Sequence, residues 1–68
     1  MMKTKIFVKE LNQEITVAHD GSLLYAVACA LTDLGVAHVH DDNEVILVDT
    51  LEHGVVHVYP IRTWRVRK

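Results

Sequence analysis

Only one stretch of this chain, residues 23–34, carries apolar side chains at helical spacing, so any fold must be built around a single helix. Leu23, Leu24, Val27, Ala28, Leu31 and Leu34 share one broad face, the expected core side. Asp20 and Ser22 are two candidate N-caps, whose side chains can accept from the free amides of a first turn, and Gly35 is the expected left-handed stop. Outside the helix the chain is extended in character. Eleven valines and four isoleucines favour strands, because branched side chains suit a pleated, half-buried surface. One helix and a few strands in 68 residues make a single domain, residues 1–68, near the size at which one core barely suffices.

Residues 3–10 alternate, with Thr4, Ile6, Val8 and Glu10 on one side and Lys3, Lys5, Phe7 and Lys9 on the other. The first set is the better inner face. Leu11, Asn12 and Gln13 form a short turn, and residues 14–18 alternate again with Ile15 and Val17 inward, so the two runs predict an antiparallel hairpin. After the helix, residues 36–40, 44–49 and 55–59 read as strands. Residues 61–67, beyond Pro60, read as a fourth strand or a bent continuation of the third. The expected class is α+β: a small mixed sheet with one helix packed on one face, in the order strand, strand, helix, strands.

The charges are segregated. Lys3, Lys5 and Lys9 lie in the first strand, Arg62, Arg65, Arg67 and Lys68 at the end, and all nine carboxylates fall between Glu10 and Glu52. With first and last strands side by side, the chain is dipolar despite a net charge of −2. The expected contact surface is Lys5, Lys9, Arg62, Arg65 and Arg67, with Phe7, Tyr59 and Trp64 as aromatic anchors. Its expected partner is a protein with an acidic surface. Nucleic-acid binding through the basic first and last strands is the weaker alternative, because a net acidic chain lacks the excess charge that drives phosphate binding.

A second surface is expected on the helix. Its outer side carries Tyr25, Ala26, Cys29, Thr32 and Asp33, of which only Asp33 is charged. The run Val45-Ile46-Leu47-Val48 reads as covered on both faces, which a sheet with one helix does not provide. Tyr25, Cys29, Thr32, Ile46 and Val48 are therefore the expected self-association residues, forming a homo-oligomer. Cys29 reads as a small half-buried apolar residue, with nothing near it in sequence to activate the thiol.

Five histidines call for a metal test. His38 and His40, two apart on a strand, project to one face; His57 is a third candidate ligand, and Asp42 or His53 a fourth. No HExxH-like pattern supports the site, so a histidine-based metal domain is the alternative and no metal or other cofactor the expectation. Histidine ordinarily titrates near neutral pH, so His38, His40, His53 and His57 among carboxylates predict pH-dependent association. Catalysis has little support: there is no glycine-rich phosphate loop or nucleophile elbow, and Ser22 serves better as a cap. No apolar run reaches the roughly 18–20 residues of a membrane span, the charged N-terminal stretch does not read as a secretory signal, and the single cysteine suggests no oxidising compartment. A cytoplasmic location is the default.

Ile6-Phe7-Val8-Lys9 with Leu11 resembles the opening strand of ubiquitin-like proteins, and Ile15-Thr16-Val17 their returning strand. Gly35-Val36 resembles the helix exit, Leu51-Glu52-His53-Gly54 a Leu-Glu-x-Gly turn, and Trp64-Arg65-Val66-Arg67 the apolar–Arg tail. The likeness is strongest over residues 6–36. It implies a β-grasp-like fold and a role as a binding module. The chain ends Arg67-Lys68 rather than in a Gly-Gly carboxylate, so the likeness does not extend to conjugation or sulfur-carrier chemistry, and one cysteine excludes an iron–sulfur ferredoxin. Small compact chains without enzymatic motifs, many phage and mobile-element products among them, often work by occluding or modulating a host protein. The expected function is of that kind: a non-enzymatic, self-associating protein–protein interaction module.

Overall fold

The computed structural model describes residues 1–67; Lys68, assigned above to the basic end, lies outside the described residues. Five strands, β1 (Met2–Val8), β2 (Gln13–His19), β3 (Val36–Asp42), β4 (Val45–Thr50) and β5 (Gly54–Arg65), form one sheet in the order β2-β1-β5-β4-β3. One helix, α1 (Leu23–Ala30), packs across one face and touches β2 and β3. The class is α+β, as expected. No helix among the described residues is long and apolar enough to cross a membrane.

Every strand pairing is antiparallel, so the expected mixed sheet is corrected. The cause lies at Pro60. Had the chain turned back there, its last strand would run parallel to β1; instead β5 passes through Pro60 without reversing, as the bent continuation. A bulge absorbs the irregularity. Lys5 faces Arg62 and Ile6 faces Pro60, which leaves Ile61 unpaired beside a proline that has no amide to give the ladder. The two halves of β5 then serve different neighbours: Gly54 to Val58 pair with β4, and Val58 to Arg65 with β1. Val58 is opposite both Val8 and Ile46 and joins the two halves.

Period-two alternation sets the core. Ile6, Val8, Val17, Ile46, Val48, Val56 and Val58 point from four strands beneath Val27 and Leu31 of the helical segment, and all nine are buried. Thr4 is also buried on this face. Its hydroxyl lies 2.9 Å from both Thr63 Oγ1 and His19 Nε2, and His19 Nδ1 donates to the Gly21 carbonyl at 3.3 Å; among the described residues each buried polar side-chain atom has a partner.

The helix is shorter than its apolar spacing suggests. Ser22 caps it, its hydroxyl accepting from the Tyr25 amide at 3.2 Å, but the α-helix ends at Ala30 and a 3-10 turn, Thr32–Leu34, carries the chain on to Gly35. The Thr32 hydroxyl donates to the carbonyls of Cys29 (2.8 Å) and Ala28 (3.3 Å), taking acceptors that close the last turn. Gly35 stops the segment at φ 72°, where the Leu51 side chain lies 3.1 Å from the position of a Cβ.

A candidate docking face on the open side of the sheet

One helix covers one face, and among the described residues no element covers the other face of the sheet. The residues there are the alternates of the core. β1 contributes Lys3, Lys5 and Phe7, and the β1–β5 register sets Trp64, Arg62 and Tyr59 opposite them. Three cross-strand pairs thus interleave three cations with three aromatic rings. The Arg62 guanidinium stands over the Trp64 ring, 5.1 Å from its centroid, close enough for cation–π attraction. Lys5 reaches Glu14 of β2 at 3.7 Å, a solvent-exposed pair that anchors the side chain weakly. Phe7 and Trp64 are half-buried, and Tyr59 and Arg62 are exposed.

The bulge makes this grouping. Inward-facing side chains run Val56, Val58, Pro60 and then, after unpaired Ile61, Thr63, whose hydroxyl meets buried Thr4. The one-residue insertion reverses the parity of everything beyond it. Arg62 and Trp64 therefore join Lys5 and Lys3, and Arg65, opposite Met2, falls on the helix side. The expected patch is corrected accordingly. Lys5, Phe7, Tyr59, Arg62 and Trp64 come together with Lys3. Arg65 is on the opposite face, Arg67 follows beyond the end of β5, and Lys9 sits in a 3-10 turn, Lys9–Leu11, outside the ladder. Lys3 completes the site; its place in the alternation of residues 3–10 was the available signal.

The other half of the open face is different in kind. Val45, Leu47 and Asp49 of β4 face outward, with His40 opposite Leu47, His38 opposite Asp49 and Asp42 opposite Val45. The apolar run is thus split. Ile46 and Val48, expected in a self-association surface, are buried beneath the helix at 4% and 0% exposure, so neither is available to a second copy. Tyr25 (73% exposed), Cys29 and Thr32 do lie on the surface; Cys29 is exposed rather than half-buried. Tyr25 and Cys29 border an open groove of about 470 Å³ between α1 and β2, with Ala18, Ala26 and Met1.

The histidines do not assemble a metal trio. The rings of His38 and His40 are 5.3 Å apart, but His57 sits across Leu47 from His40. One intervening strand puts the two about 10 Å apart, too far for a shared ion. Among the described residues no group of three His, Cys, Asp or Glu could hold a metal. His57 has another partner. β1 ends at Val8, so the His57 amide meets no strand; it donates to Glu10 Oε1 at 2.7 Å, and the ring Nδ1 donates to Oε2 at 2.6 Å. Burial acts to raise the pKa of Glu10, but these bonds, the amide foremost, outweigh it and hold the carboxyl below its ordinary value.

A lowered carboxylate pKa stabilises the fold above the ordinary carboxylate range, and the contribution is lost as pH falls through the folded value. Glu10→Gln is expected to cost about 1 kcal/mol near neutral pH, allowing for solvent screening. The difference from wild type should vanish in acid, which thermal melts at several pH values will check. A difference that grows on acidification contradicts the assignment.

Comparison with known proteins returns no match: no family model, no curated protein and no solved structure matches this chain.

Proposed function

We propose that this protein is a non-enzymatic interaction module that docks the open face of its sheet on an acidic surface of a partner protein and modulates or blocks that partner. The observation that carries the reading is the ladder Lys3–Trp64, Lys5–Arg62 and Phe7–Tyr59 on a face that no element among the described residues covers. Tyr, Trp and Arg dominate interface energies because they combine large contact area with directional hydrogen bonding. A protein partner is favoured over nucleic acid by the carboxylates on the same face: Glu14, Asp42 and Asp49 repel a uniformly charged phosphate chain, whereas a protein surface can oppose them with neutral or basic groups. The ubiquitin-like resemblance agrees in element order, hairpin, helix and then strands, although the antiparallel pairing of β1 with β5 differs from the mixed sheet expected with it.

Affinity capture tests the reading. Wild-type protein and the Lys5→Glu/Arg62→Glu variant are used as baits on source lysate with and without nuclease treatment, and the recovered proteins are identified by mass spectrometry. The reading requires an acidic protein retained by wild type and lost with the variant. Identical recoveries, or retention that disappears on nuclease treatment, contradict it.

Self-association is a separate part of the proposal and rests on the exposed Tyr25 ring at the α1–β2 groove. Tyr25→Glu should lower the mass measured by light scattering towards that of a monomer. An unchanged mass removes this part and leaves the open face untouched.

A further inference from the structure

The sheet has a third free edge, inside it. β4 pairs with β5 only from Gly54 to Val58, so among the described residues no strand pairs with the last residues of β5 on the side away from β1. The Val66 amide donates to the Met1 carbonyl at 3.0 Å, and antiparallel hydrogen bonding alternates. Trp64 and Arg62 therefore turn their backbone groups towards β1, and Thr63 and Arg65 turn theirs outward. Both are exposed.

The surroundings restrict what can lie there. Arg62 stands on one face of this edge, Arg65 on the other, and Arg67 follows. Two copies joined through these edges would bring their arginines together, and like charges across strands are destabilising. An acidic chain meets the opposite situation. At the Pro60 end the edge opens into a groove of about 1110 Å³ bordered by Leu23, Leu24, Ile46 and Tyr59, with Asp41, Asp42 and Glu44 on its far side. An apolar side chain suits that end and a carboxylate does not.

We propose that an extended, acidic segment of the partner adds to this edge as a further strand along residues 61–65, its main chain pairing with Thr63 and Arg65. Its carboxylates lie towards Arg62 and Arg65, and an apolar residue enters the groove beside Pro60. Main-chain bonds supply the register and the arginines select the charge, as in other strand-addition complexes. This deepens the open-face reading and rests on it, because Arg62 serves both.

The probe is the five-residue peptide Glu-Val-Val-Glu-Val, whose two Glu side chains, three apart on a strand, fall on opposite faces as Arg65 and Arg62 do, compared with the same peptide methylated on its backbone nitrogens. Peptide affinity is measured by fluorescence anisotropy, and amide exchange of the full chain by NMR. With the unmethylated peptide at saturation, exchange at Thr63 and Arg65 should slow at least tenfold, and methylation or Arg65→Glu should weaken binding at least tenfold. Absence of binding at millimolar peptide, equal affinity of the methylated peptide, or unchanged exchange at both amides overturns strand addition. Such a result leaves the open-face reading to be judged by the capture experiment, in which loss of the partner with Lys5→Glu/Arg62→Glu upholds it independently.

Discussion

Ile6→Ala is expected to destabilise the protein by about 3 kcal/mol, and for a domain of this size that is a large part of its total stability. Ile6 is fully buried between Ile15 and Pro60 on the helix side, immediately after the step in register at the bulge. Truncation removes three carbons from a site whose neighbours are held by backbone pairing on both sides, so the cavity cannot collapse fully. Denaturant titration gives the cost directly. The control is Lys5→Ala in the same strand, which points to the open face and should change stability by about 0.5 kcal/mol or less. Comparable losses at the two positions would mean that β1 does not present the faces described.

The second large effect concerns binding. Reversing Lys5 and Arg62 together should weaken a purified acidic partner by about 3 kcal/mol, roughly a hundredfold, because charges close to opposite charges across an interface couple by one to several kcal/mol each. The fold should survive. The Lys5–Glu14 pair is exposed on both sides and worth less than about 1 kcal/mol, and the Arg62–Trp64 stacking contributes a similar amount. Calorimetric titration with the melting temperature measured in parallel separates the two effects. A variant that still melts cooperatively within a few degrees of wild type but binds as tightly would exclude this face as the site.

Much of the architecture was legible because the local signals agree with one another. Thr4, Ile6 and Val8 alternate with lysines and Phe7, the Ser22 cap precedes a single apolar helical face, and Gly35 ends the 3-10 turn that follows the helix; each reading needs only neighbours a few residues away. What escaped depends on distance. The Glu10–His57 contact joins residues 47 apart and follows from where β1 stops, which alternation leaves open by a residue or two. The run at residues 45–48 is apolar at every position, so periodicity alone could not divide it; the core takes Ile46 and Val48, and Val45 and Leu47 go outward.

The candidate site turned on one residue. Reading straight through residues 58–67 with period two places Arg65 and Arg67 with Lys5, and the unpaired Ile61 transfers that position to Arg62 and Trp64. Pro60 marked an irregularity without saying whether the chain would turn, end or bulge.

The parity of β5 beyond Ile61 is therefore the claim on which the rest depends, and cross-strand proton–proton NOEs measure it most directly. The account predicts contacts from the Trp64 ring to the Lys3 side chain, and from the Arg62 side chain to that of Lys5, with the Thr63 methyl close to Thr4. NOEs that instead join the Ile61 side chain to Lys5 and the Thr63 side chain to Lys3, with the Trp64 ring on the helix side beside Met2, would contradict it.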